Sequence, residues 1–434
     1  MNVHPSTNPF RPGDPLAPFA GRQVELARMD HYLKEAAAEG ALAFEGQHWL
    51  GKSALLLRFN SVFDDQFLGI YLPLRTIDLS SENQLIRAIL DGTMRALAGR
   101  DITLTRVPEP PADIPMLRIW FVETWLPEIF HIIRPHRKLV LLMDDAHVWL
   151  DAEVGEGWPG ATFDFFNDLL QQHPQLKILL TIPLEREGDL ARLNPLVSPA
   201  NVLRLTYLSA DATGWLLRHP GIYAVTEDAV IAVHRATGGH PQLLQRFAHH
   251  IYQYHATHPD AMTTTPELVR TLLPGVYHAS TEELASLWTD STDTEQLVML
   301  AVCRLRYEDP LKTITPEAIS DWLVDGEYPL DHVTVNAALR SLEYREVISH
   351  RMGGIELTCG LMQTWLLEST RHAVPSGKRS GPRLRPAVLI AAVAAVVVIA
   401  LLLINLSHTP QSAATTTARP APTVTLANGT AETP

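Results

Sequence analysis

Residues 44–53 read Phe44-Glu45-Gly46-Gln47-His48-Trp49-Leu50-Gly51-Lys52-Ser53. It is G-x-x-x-x-G-K-S in full, with a short apolar run before it and a helical pattern over 54–59 after it. Strand, glycine-bounded turn and helix in that order form a phosphate loop, whose amides and helix start point at phosphate oxygens. Gly46 and Gly51 let the backbone approach without a Cβ. Lys52 sets a positive charge near the β and γ oxygens, and the Ser53 hydroxyl is a ligand for Mg²⁺. Gln47, His48, Trp49 and Leu50 complete the loop as candidate nucleotide contacts.

A site of this kind also needs a carboxylate at the end of a buried strand. Lys138-Leu139-Val140-Leu141-Leu142-Met143-Asp144-Asp145 supplies an unbroken apolar run, as a central parallel strand demands, followed by two acids. Asp144 is placed to hold Mg²⁺ through water. Asp145 stands where a water-activating carboxylate belongs, and equally where a cap for the turn into Ala146-His147-Val148 would stand.

Working outward, residues 1–18 form a Pro-rich lead. Over 19–205 short apolar runs alternate with helical patterns, the signature of an α/β parallel sheet, with strands expected at 42–45, 68–72, 139–143 and 178–182. Residues 206–285 read as an all-α lid with a break at Gly238-Gly239-His240-Pro241. Residues 286–372 read as three helices and a hairpin turning at Gly353-Gly354, and 373–385 as a basic linker. The apolar stretch 386–406 reaches the roughly 20 residues that a bilayer-spanning helix needs. Lys378, Arg379, Arg383 and Arg385 precede it, whereas Arg419 alone follows, so the expected orientation puts the N-terminal region in the cytoplasm. The Thr/Ala/Pro-rich tail 407–434 is then expected outside and disordered.

The net charge of −13 argues against a protein that coats nucleic acid. Two cysteines, Cys303 and Cys359, make neither a metal knuckle nor a disulfide framework. The densest histidine group, His249, His250, His255 and His258, has no carboxylate or thiol at ligand spacing, so it reads as helix surface.

The loop and the strand ending in Asp144-Asp145 together resemble the AAA-like P-loop ATPases of the STAND type, nucleotide-controlled switches found in multidomain bacterial proteins. Asn8-Pro9-Phe10 leading to Phe19-Ala20-Gly21-Arg22 resembles the family's leading segment, which implies that Gly21 and Arg22 lie near the adenine. Thr237 to Leu244 resembles the G-x-P motif of the family's helical lid, which implies that Pro241 senses the nucleotide. Val335 to Leu342, Ile348 and 353–357 look like a closing winged helix. The resemblance covers residues 8–370. It implies ATP and Mg²⁺ as cofactors, Asp145 as the catalytic residue of a slow ATP hydrolase, and protein partners, self-association among them.

Two departures stand out. Asp145 is one methylene shorter than the glutamate of many active relatives, and Arg186 and Arg192 are the candidates for a charge-neutralising arginine. Thr181 is a candidate polar sensing residue. The expected function is a membrane-anchored ATP-binding switch. One alternative is a membrane-bound transcription regulator, whose reading helix would offer Asn336, Arg340 and Arg345 against Glu343 and Glu346. Another is an ATPase energising a membrane or secretion process.

Overall fold

A computed structural model describes residues 7–35, 40–63, 66–100, 108–111, 117–133, 137–152, 158, 162–184, 189–328, 330–351 and 354–369. The chain divides into two compact units, Met1–Arg371 and His372–Pro434, and every described residue belongs to the first. The expected linker, membrane span and tail lie outside the described residues. Among the described residues no helix is long and apolar enough to cross a membrane.

The described strands build a parallel sheet of five, ordered β2-β3-β4-β1-β5. They are β1 (Leu42–Gly46), β2 (Phe67–Pro73), β3 (Lys138–Asp144), β4 (Leu176–Pro183) and β5 (Val202–Arg204). In β3 the period-two alternation works on both faces. Leu139, Leu141 and Met143 enter one core with Ile178, Leu180, Ile86, Trp125 and Trp149, while Val140 and Leu142 enter a second with Phe44, Leu55, Phe59 and Met29. Burial on both faces explains why β1, β3 and β4 are predominantly apolar, with Glu45, Lys177 and Thr181 the buried polar exceptions along β1 and β4. The strand β5 was not among those expected. It is three residues long and half-buried, too short for periodicity to mark it.

Residues 206–285 are expected to be all helix, and here the structure corrects the reading. The helices Ala210–Arg218, Glu227–Thr237, Pro241–Thr257 and Pro266–Ala279 are accompanied by a two-residue parallel ladder, β6 (Ala224–Val225) on β7 (Thr263–Thr264). Side-chain caps start three of these helices: Ser209, Thr226 and Thr265 each accept from the amide three residues on.

Helix Thr281–Thr289 leads into helix Asp293–Glu308, which opens on a capping box of Thr292 and Glu295. Helices Pro316–Asp325 and His332–Tyr344 follow, then the antiparallel hairpin β8 (Ile348–Arg351) and β9 (Gly354–Leu357). A further helix, Gly360–Ser369, closes the described chain after the hairpin, beyond the three helices and hairpin expected.

Candidate functional site

The C-terminal ends of four parallel strands meet at one edge of the sheet, where a doubly wound fold gathers its ligands. β1 delivers the phosphate loop, β3 the acidic pair, β4 Thr181 and β2 Tyr71, with Arg75 just beyond. A cavity of about 440 Å³ opens there, lined by His48, Trp49, Leu50, Gly51, Lys52 and Ser53, and by Arg75 and Asp145. The leading segment contributes Gly13 to Pro15 and Ala17 to Ala20, and the lid contributes Pro241, Gln242 and Gln245.

Within the loop, Gly51 and Trp49 are left-handed, with φ of 86° and 65°. Glycine holds that conformation freely and tryptophan only under constraint, so the loop's shape is enforced by its surroundings. The buried Lys52 ammonium donates to the carbonyls of Gly46 and Gln47, each at 2.7 Å. Gln47 is buried, and its Nε2 donates to the carbonyl of Arg345 at 2.8 Å. His48 and Trp49 are exposed.

Arg22 props the loop from beneath. Its Nη2 donates to the Leu50 carbonyl at 2.8 Å, and its Nη1 to the Thr206 carbonyl at 2.7 Å and to Glu25 Oε1 at 2.9 Å. Burial pulls its pKa down, opposed by Glu25. Of the pair expected near the adenine, Arg22 lines the cavity, whereas a Cβ on Gly21 would press on Leu208 and Ala212.

The two acids take different positions. Asp144 is 4% exposed, and its carboxylate accepts from the Tyr71 hydroxyl at 2.7 Å and from the Thr181 hydroxyl. Burial and the adjacent Asp144 push the Tyr71 phenol well above its ordinary value, so it stays a donor. Asp145 has φ of 60° and faces the cavity. Its amide donates to Thr181 Oγ1 at 2.8 Å, and its Oδ2 accepts from Arg75 Nε at 2.5 Å. Arg75 Nη2 also lies 3.1 Å from His147 Nε2. Thr181 therefore ties both acids to the end of β4.

Tyr71 and Arg75 were missed by sequence reasoning. Their only signal was position at the end of a strand beside the one that carries the acids. Of the arginines that were proposed, Arg192 turns away and donates to the Leu150 carbonyl at 2.5 Å, and Arg186 lies outside the described residues.

The lid closes the far wall. Gly239 has φ of 85°, and a Cβ there would lie 2.1 Å from the Leu208 carbonyl oxygen. Pro241 opens the long lid helix at a position where its missing N–H is harmless. His240 is 1% exposed with its ring 5.2 Å from that of Tyr207, and burial pushes its pKa down to about 3. Gln242 Oε1 accepts from the Gly13 amide at 3.0 Å, and Gln245 Nε2 donates to the Pro18 carbonyl at 2.6 Å. His249 Nδ1 lies 2.7 Å from the Phe10 carbonyl, and His255 lies on Ala261 and Thr264. The histidine cluster thus fastens the leading segment and the lid ladder.

No family model matches the chain, and no curated protein does. Solved structures do. The chain is similar to the Walker-type ATPase of Pyrococcus abyssi, with a TM-score of 0.51 and 16% identity over 80% of this chain and 96% of that one. It is similar to the ORC2 protein of Aeropyrum pernix, with a TM-score of 0.52 and 12% identity over 91% of this chain and 98% of that one. The protein therefore has an α/β P-loop NTPase fold, with a five-stranded parallel sheet followed by a helical C-terminal region among the described residues.

Proposed function

We propose that this protein is a STAND-type, ATP-binding switch with slow hydrolysis, anchored to a membrane through residues 386–406. The observation that carries the reading is the convergence of the phosphate loop, Asp145 with Arg75, the leading segment and the lid on one cavity. Gly46 to Ser53 would cradle the phosphates, with Lys52 turning from its loop carbonyls to the β and γ oxygens. The apolar wall of Phe19, Ala20, Leu208, Leu216 and Pro241 suits the flat face of a base.

The donor set fits Mg²⁺, a hard cation that takes oxygen ligands. Ser53 and Asp144 would hold it, the latter through water, and the ion would neutralise charge on the phosphates. Asp144 is fixed for that role by Tyr71 and Thr181. Asp145 would orient the attacking water, but its Oδ2 is engaged by Arg75, which supports slow turnover.

The region 286–372 is read as a winged helix that contacts protein. The basic groups of the hairpin support this over nucleic acid, because they face acids. Arg351 Nε lies 2.7 Å from Glu356 Oε1, and His350 Nε2 lies 3.7 Å from Glu343 Oε1. Partners, self-association and the outward tail follow as parts of the same proposal.

Steady-state phosphate release from the full-length protein tests it. The expected turnover is below about one per second, against about 1–10³ per second for typical enzymes, and Asp145→Asn should lower it further. Fast turnover that survives Asp145→Asn would replace the switch with a motor.

A further inference from the structure

Two glutamines of the lid helix Pro241–Thr257, Gln242 and Gln245, line the nucleotide cavity, and they stand in different states. Gln242 is engaged at both ends of its amide. Its Oε1 accepts from the Gly13 amide at 3.0 Å, and its Nε2 donates to Glu283 Oε1 at 3.0 Å. Gln245 is engaged at one end. Its Nε2 donates to the Pro18 carbonyl at 2.6 Å, while its Oε1 is buried with no hydrogen-bond partner. The Pro18 carbonyl fixes which way this amide points, because only the NH₂ end can face an acceptor. A buried acceptor left unpaired is costly, and in folded proteins such groups are nearly always paired. A ligand that donates to Gln245 Oε1 recovers that cost.

The surroundings of Gln245 say which part of a nucleotide meets it. Pro18, to which it is tied, runs directly into Phe19 and Ala20 of the apolar wall that suits a base, and Gln245 follows Pro241 of the same wall by about one helical turn. Asp14, the acid that the leading segment brings to the cavity, is already engaged at both oxygens. Its Oδ1 accepts from the Leu16 amide at 2.8 Å, and its Oδ2 lies 3.1 Å from Arg11 Nη1. Among the described side chains of that wall, Gln245 Oε1 is thus the acceptor still open to a base. Position 6 of a purine decides what such an acceptor encounters. Adenine carries an amino group there, which donates, whereas a 6-oxo purine carries a carbonyl, which sets one acceptor against another.

Resting on the nucleotide-binding reading, we infer that Gln245 determines the base specificity of the site: its Oε1 accepts from the 6-amino group of adenine, and the Pro18 carbonyl holds the amide in the orientation that rejects a 6-oxo purine. The pairing joins base, lid and leading segment through one side chain. A site that hydrogen-bonds a ligand group discriminates against the analogue lacking it, because its own buried group is then left unpaired.

The test titrates the full-length protein calorimetrically, with Mg²⁺ present, against three triphosphates that differ at position 6: ATP with its amino group, purine riboside triphosphate with hydrogen, and inosine triphosphate with a carbonyl. The wild type is expected to bind ATP at least about tenfold more tightly than purine riboside triphosphate, and inosine triphosphate more weakly still. Gln245→Met keeps the length of the side chain and removes the acceptor, so its preference for ATP over inosine triphosphate should fall to within about twofold. Melting without nucleotide shows whether the variant is folded, and Gln245→Leu takes its place if it is not. A glutamine that merely holds Pro18 predicts a different result: the folded variant loses affinity for all three ligands alike and keeps the wild-type ratios. That result overturns the inference, as does a wild type that binds purine riboside triphosphate or inosine triphosphate as tightly as ATP, and both leave the nucleotide site standing. A wild type that binds none of the three overturns the nucleotide-binding reading as well.

Discussion

At the residue scale, the contact between Arg75 and Asp145 bears on the slow turnover proposed for the site. Their contact is 2.5 Å, yet the Arg75 side chain is 53% exposed, so the pair is weakly held and easily exchanged. Arg75 occupies one of the two oxygens through which Asp145 would orient water. Arg75→Ala is therefore expected to raise the slow turnover several-fold; a fall would show that the arginine's charge serves the transition state instead. A second residue-scale outcome follows from His240. Its folded pKa of about 3 lies below the ordinary value of 6.5, so the folded state refuses a proton that the unfolded chain takes. The stability it contributes is present above pH 6.5 and is lost progressively as the pH falls below it. Urea unfolding at pH 7 and pH 5 should show a smaller loss in His240→Phe than in the wild type. Equal losses would show that the ring is hydrated.

At the element scale, the lid turn depends on Gly239. Alanine there would meet the Leu208 carbonyl at 2.1 Å in a left-handed backbone, and the cost should be at least about 2 kcal/mol by chemical unfolding. A loss below about 0.5 kcal/mol would mean that the turn has room to shift. The same scale shows what the sequence could reveal. β1, β3 and β4 were legible because burial on both faces demands apolar runs, and the loop was legible because phosphate binding restricts residue types at fixed spacing. β5 and the two-residue ladder of β6 and β7 were not, because elements of two or three residues carry no period. Tyr71 and Arg75 were hidden for another reason. Their roles come from the pairing of β2 with β3, which sets Pro73 beside Asp144 and which no local pattern encodes.

At the scale of the whole molecule, a chain of polar contacts runs around the site. It begins at the Gly13 amide on Gln242, passes through Gln242 Nε2 to Glu283 in helix Thr281–Thr289, and continues along that helix to the Asp290 carbonyl. Arg345 takes it from there back to Gln47 in the phosphate loop. Nothing in the sequence shows this path, since its links join residues far apart in the chain. It joins leading segment, lid, C-terminal module and phosphate loop in one connected structure, and the function proposed for that structure rests on the cavity binding ATP through its loop. Calorimetric titration of the full-length protein with Mg·ATP, beside Lys52→Ala, tests this most directly. One ATP per chain is expected for the wild type and affinity at least about tenfold weaker for Lys52→Ala, as the loss of one charge-assisted contact requires. Equal binding by both proteins, or none by the wild type, would contradict it.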